Sequence, residues 1–275
     1  MDHLTVRPGR RAGRPGPGPT GHPEGRLAGA APILLAEGAA TAVLIAAGLS
    51  LVIMDSTHGP VARLIAAGAP RRLVTGLLFG SVGALVTISP LGRRSGAHLN
   101  PAVTLAFLLR GKIGAGLAAG YVAAQAIGAT AGAALLLVWG ATGRRASFGA
   151  TLPGPGYGPW AATAGEIATT FTLVVLLFAV LGGRATRRFA PGLMPPLYAV
   201  MVWLEAPVSG TSTNPARSLG PAVIAGAWHD FWVYLIGPCA GAALGVLILG
   251  TVLPDLEPEV AKVFHFAEAE FTLLR

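Results

Sequence analysis

Two asparagines stand where this chain could act on a small molecule. Asn100 opens Asn100-Pro101-Ala102 inside the stretch Ser95-Gly96-Ala97-His98-Leu99-Asn100-Pro101-Ala102-Val103. Asn214 opens Asn214-Pro215-Ala216 inside Ser209-Gly210-Thr211-Ser212-Thr213-Asn214-Pro215-Ala216-Arg217. Asn is a preferred N-cap and Pro is favoured at the first helical position, so each copy predicts a helix start. A helix N-terminus carries about half a positive charge. Two opposed starts place about one positive charge between them, which repels cations and a hopping proton. With the side-chain oxygens used in capping, the two amide NH₂ groups are expected to face the space between the helices. There they would donate to the lone pairs of a passing water or hydroxyl. This is the chemistry of selective passage, and it forms no covalent bond.

Few other charges lie among apolar residues. Arg217 follows Asn214 by three and is the only charge between 206 and 229. An arginine inside a membrane costs at least about 2.5–3.5 kcal/mol, so it is expected to face a wet cavity, the alternative being snorkelling to the headgroups. Glu37-x-x-x-Thr41 and Glu166-x-x-x-Thr170 recur at matched places. One reading of the two carboxylates is a proton relay, and the other is a structural anchor for a nearby loop. Glu205 reads as a partner of Arg217, as a charge colouring the vestibule, or as a solvated helix end. His98 reads either as a residue of the inner mouth or as a packed, hydrogen-bonded imidazole.

The elements that must hold these residues follow from composition. Of 275 residues, 53% are hydrophobic and only 12% charged, against about 25% charged in a soluble domain. Mean hydropathy is +0.63. The apolar runs are far longer than the strands of a membrane barrel, so they predict an all-α membrane protein. Six spanning helices are expected at roughly 31–53, 73–91, 115–140, 161–183, 192–208 and 229–253, each near the ~20 residues that cross a bilayer. After each Asn-Pro-Ala an apolar run of about 11 residues would reach only about 16 Å, half a bilayer, which predicts two re-entrant half-helices. The single cysteine, Cys239, excludes an internal disulfide.

The chain thus divides into two halves, about 31–140 and 161–253, within one unit spanning 29–254. Each has three spans with a half-helix between its second and third. Three is odd, so the halves insert in opposite senses, and inverted repeats with broken helices put the permeation site near the midplane. Residues 1–28, rich in Pro, Gly and Arg, read as a disordered tail, and 255–275 as a short acidic tail. With both termini inside, 14 Lys and Arg lie inside against 5 outside, Arg217 being kept for the pore. That bias supports this orientation and accounts for the net charge of +8 without nucleic acid.

The paired Asn-Pro-Ala starts, the longer strings 95–104 and 214–218, and the two Glu-x-x-x-Thr pairs together resemble the aquaporin (major intrinsic protein) family. The resemblance covers residues 31–253. It implies six transmembrane helices plus two re-entrant half-helices, and a passive channel for water and small neutral solutes such as glycerol that excludes protons and ions. It implies no enzyme, no cofactor and no metal, and a homotetramer in the lipid bilayer, in the plasma membrane. The Ala, Gly and Arg bias points to a bacterial inner membrane. Glu37 and Glu166 would then support the loops, and Arg217 would belong to the narrowest constriction. Gapless counting from the motifs adds Gly80 (or its neighbour Phe79), Val202 and Thr211 to that constriction. Water-selective relatives place a histidine and an aromatic there, and Val202 stands where the histidine would be, which favours a wider pore. Ser218, Ala222 and Tyr234 resemble water channels, whereas Leu235 resembles glycerol channels.

A rival reading is an ion- or proton-coupled secondary transporter using Glu37, Glu166 or Glu205 as the coupling carboxylate. An intramembrane enzyme is disfavoured, since the histidines at 3, 22, 58, 98, 229 and 265 form no close ligand pair.

Overall fold

A helix rises 1.5 Å per residue, so 20 residues cross about 30 Å of hydrocarbon. The computed structural model describes residues 23–56, 59–65, 68–254, 256 and 258. Their helices are α1 (Pro23–Asp55), α2 (Ala69–Ile88), α3 (Pro90–Ser95), α4 (Pro101–Leu109), α5 (Ala115–Leu135), α6 (Gly140–Arg145), α7 (Pro159–Gly182), α8 (Ala190–Ser209), α9 (Pro215–Ala225) and α10 (Val233–Val252). Six of them, α1, α2, α5, α7, α8 and α10, have 20 residues or more. All of these but α8, which carries Pro195, Pro196 and Pro207, are also apolar enough to cross a membrane. The helices α4 and α9, of 9 and 11 residues, reach halfway.

Several boundaries differ from the expected ones, among them the start of the sixth span, at Val233 and not 229. The first helix starts at Pro23, inside the stretch expected to be a disordered tail. The second ends at Ile88, because Ser89 accepts the Gly92 N–H at 3.3 Å and starts the separate turn α3. The third leaves α geometry at Leu135 and tightens into a 3₁₀ turn through Trp139 before α6. Residues 1–22 and 259–275, most of both expected tails, lie outside the described residues.

The packing repeats between the halves. In the first, α1 lies along α5; in the second, α7 lies along α10; and α2 meets α8 across the centre. Small residues let these backbones touch, which is how membrane helices associate without a hydrophobic drive. A Cβ on Gly128 of α5 would run into the backbone of Gly38 on α1, and one on Gly241 of α10 into the backbone of Ile167 on α7. Each half-helix also leans on the opposite half, α4 on α10 and α9 on α5. Large apolar side chains such as Leu35, Ile127 and Leu204 stay exposed on the outside, as a lipid-facing surface requires. Trp160 and Trp232, at the starts of α7 and α10, meet edge to face with ring centroids 5.1 Å apart.

Candidate functional site

The loops entering α4 and α9 turn sharply. Gly96, Ala97 and Leu99 have φ of 87°, 52° and 56°, and Gly210, Thr211 and Thr213 have 86°, 52° and 53°. Left-handed backbone is cheap for Gly and unfavourable for Leu and the β-branched Thr. Such strain persists only where the surroundings over-determine it. Here two devices do so.

The first device is the asparagine pair. Asn100 Oδ1 accepts the N–H of Ala102 at 2.8 Å, and Asn214 Oδ1 accepts those of Ala216 and Arg217 at 3.0 and 3.2 Å. The amide of Asn100 then donates to the carbonyl of Thr213 at 2.8 Å, and that of Asn214 donates to the carbonyl of Leu99, also at 2.8 Å. This corrects the expectation that both NH₂ groups are wholly free. One hydrogen of each ties its loop to the other loop, and a primary amide has two, so one remains per asparagine. Both asparagines line the same cavity.

The second device is the carboxylate pair, both fully buried. Glu37 Oε1 accepts the Leu99 N–H at 2.5 Å and Gln125 Nε2 at 2.8 Å. Glu166 Oε1 accepts the Ser212 N–H at 2.7 Å and the Ser209 hydroxyl at 2.5 Å, and its Oε2 accepts the Thr213 N–H at 2.7 Å. Each carboxylate thus grips the loop of its own half. Tyr121 and Tyr234, on α5 and α10, add hydroxyl donors to the carbonyls of Ser95 and Ser209.

Two cavities flank this junction. We term the end of the bundle carrying Asp55 and Ala69 upper, and the end carrying Ile88 and Gly182 lower. The lower cavity, about 110 Å³, runs from Thr87 and Pro191 to the asparagines. A water needs about 10–15 Å³ by this measure, so several fit. Its wall is largely aliphatic, and Asn100, Asn214 and His98 are among its polar points. His98 is packed: its ring stacks on Phe107 at 4.6 Å, and Nδ1 lies 3.1 Å from the Thr104 hydroxyl. Its Nε2, buried, has no partner among the described residues.

The upper cavity, about 360 Å³, brings together Phe79, Val202, Thr211 and Arg217. Gly80 is not with them. It lines the lower cavity and sits against the backbone of Met194 and Pro195 on α8, so the counted position falls on Phe79. A helix turns about 100° per residue, and counting from a motif cannot resolve a shift of one. Arg217 is 6% exposed and donates from Nη1 to the carbonyl of Gly149 at 2.7 Å. It therefore faces the cavity and does not snorkel to the surface. Glu205 is neither its partner nor solvated: at 7% exposure, its Oε2 accepts the Thr211 hydroxyl at 2.6 Å.

Other lining groups were not foreseen. Asp55, which accepts from the Thr75 hydroxyl and lies 3.9 Å from Arg71 Nε, lines the upper cavity with Arg71 and Arg72. These residues fall at helix ends, where charge is unremarkable in sequence. Tyr198 lines both cavities. Its signal was present, since it precedes Val202 by four and so shares a face of α8 with it.

Comparison with known proteins gives one consistent result. The profile of the family described as "Major intrinsic protein" matches residues 29–249. Aquaporin-6 of Mus musculus is 40% identical over 164 residues, 59% of this chain and 56% of that protein. Aquaporin NIP1-4 of Oryza sativa subsp. japonica is 37% identical over 215 residues, 78% of this chain and 74% of that protein. The aquaglyceroporin of Plasmodium falciparum superposes with a TM-score of 0.66 at 20% identity, covering 82% of this chain and 98% of that one, a likeness of fold.

Proposed function

The chain belongs to the major intrinsic protein family, and on that premise we propose that it is a passive transmembrane channel for water and small neutral solutes such as glycerol, closed to protons and ions. One observation carries the reading. The N-termini of α4 and α9 meet through Asn100 and Asn214, each bound to the other's loop, between two cavities at opposite ends of the bundle. Two helix starts facing each other put about one positive charge at the meeting point. Cations and protons meet that barrier, while a neutral molecule bearing lone pairs is met by amide donors. Arg217 adds a fixed positive charge in the upper cavity. Conduction of this kind needs no covalent step.

The two buried glutamates support a channel over a coupled transporter. Each binds backbone N–H groups of a strained loop, and a carboxylate so engaged is a structural anchor. Solute range follows from the upper ring. Phe79 supplies an aromatic, while Val202 stands where water-selective relatives carry histidine, so the ring is wider on one side and admits glycerol beside water. The 14-to-5 basic bias supports cytoplasmic termini in a plasma membrane. The Ala, Gly and Arg bias supports a bacterial inner membrane, and the relatives named above are eukaryotic. The exposed apolar faces suit a homotetramer with one pore in each subunit, for which crosslinking in the membrane is the test.

The decisive experiment is stopped-flow light scattering on proteoliposomes under sucrose and then glycerol gradients. Fast shrinkage in sucrose and re-swelling in glycerol, both linear in gradient and indifferent to a pH gradient, are expected. Saturable flux driven by a pH gradient would return the transporter, and no acceleration over empty liposomes would overturn the channel.

A further inference from the structure

We propose that Tyr198, braced by Phe79, forms a second size-selecting waist between the Arg217 ring and the asparagine pair, and that its hydroxyl acts as a hydrogen-bonding station for hydroxylated solutes. The inference rests on the channel reading above. It starts from the partition of the interior. Of the described residues lining the two cavities, Phe79 and Tyr198 alone belong to both. Val202 and Arg217 line only the upper cavity, and the two asparagines only the lower. The wall between the cavities is therefore built on these two rings.

The rings themselves are in contact. Phe79 comes from α2 and Tyr198 from α8, with centroids 5.5 Å apart and planes at 43°, inside the range for packed aromatic pairs. The rings leave no way between them, and on this proposal a solute passes at the tyrosine's hydroxyl end. There the hydroxyl lies 3.0 Å from Thr213 Oγ1. Thr213 is held as well, its N–H by Glu166, its carbonyl by Asn100 and its hydroxyl by donation to the Ser212 carbonyl at 2.7 Å. A bar thus runs from α2 through α8 to both re-entrant loops. Its far end is wedged too: a Cβ on Gly48 of α1 would lie 2.7 Å from the Phe79 ring. The backbone under Tyr198 is pinned against Gly76 of α2.

Two consequences separate. The ring sets the width of the passage. The paired hydroxyls of Tyr198 and Thr213 would hydrogen-bond a passing molecule, and a water or polyol can replace their mutual bond where an apolar molecule of the same size cannot.

The test uses full-length protein in liposomes, with water, glycerol, erythritol and xylitol fluxes measured for the parent, Tyr198→Ala, Tyr198→Leu and Tyr198→Phe. For Tyr198→Ala, the glycerol-to-water ratio is expected to rise about tenfold and the four- and five-carbon polyols to enter. Tyr198→Leu serves as the same test if the alanine variant does not reconstitute. Tyr198→Phe should keep the size cut-off and lower the polyol-to-water ratio about two- to fivefold. A merely structural tyrosine would lower all fluxes together and leave the ratios alone, and unchanged ratios in Tyr198→Ala and Tyr198→Leu would overturn the waist. Parent protein without water flux would overturn the channel reading, and the waist with it. Water flux in the parent with unchanged ratios in the variants overturns the waist alone.

Discussion

The loop before α4 and the loop before α9 have one backbone and two sets of side chains. Gly96 matches Gly210, Ala97 matches Thr211 and Leu99 matches Thr213, all at positive φ. Ser95 and Ser209 accept the N–H groups two residues on, at 3.0 and 3.2 Å. Beyond that the loops diverge. The first carries Ala97 and Leu99, and the second a run of hydroxyls, with Ser212 and Ser218 joined at 2.5 Å and Ser218 and Thr151 at 2.6 Å. Three residues past each asparagine stand Val103 and Arg217. The glutamates differ as well. Glu166 uses both oxygens on three donors of its loop. Glu37 uses only Oε1, for one loop N–H and Gln125, and its Oε2 has no partner among the described residues. Gln125 lies four residues after Tyr121, where the second half has Pro238 after Tyr234. The shared backbone meets a shared need, aiming a helix N-terminus at the midplane. The side chains differ, and on the channel reading proposed above the first loop would serve as support and the second as filter.

The largest way to break this division is at the glutamates. Glu166→Ala strands three buried donors at about 1–3 kcal/mol each, and Glu37→Ala strands two. Thermal unfolding in detergent should therefore drop further for Glu166→Ala, to the point of losing folded protein. A larger drop for Glu37→Ala would reverse the assignment. Next comes Arg217→Val, which installs the first loop's residue in the second. Water flux should stay within about twofold while proton and glycerol leak rises about tenfold, read with a pH-sensitive dye and by light scattering. Unchanged leak would remove Arg217 from the barrier. Val202→His should narrow the ring and lower the glycerol-to-water ratio about two- to fivefold, and an unaltered ratio would take Val202 off the pathway. The smallest effect is expected for Gln125→Leu. Loss of its buried bonds to Glu37 and Thr104 should cost about 1–3 kcal/mol of stability and leave both permeabilities alone, as expected of a network that only supports.

The chain's own letters determine the helices and the place where they break. Hydropathy marks five of the six long helices, and Asn-Pro marks the half-helix starts, because burial in lipid and capping are local requirements that a short window expresses. Glu37, Glu166 and Arg217 were legible for the same reason, each being a charge too costly to leave among apolar residues without a partner or water. Side-chain direction was not legible. That Phe79 and not Gly80 reaches the upper cavity, and that Glu205 takes the Thr211 hydroxyl and not Arg217, depend on rotations of helices against one another. The crossed amides of Asn100 and Asn214 join carbonyls more than 110 residues away, and the bar from Phe79 through Tyr198 to Thr213 draws on three separate elements. Those contacts were decided only by the tertiary structure, because each depends on where two distant backbones come to rest, and no local pattern encodes that distance.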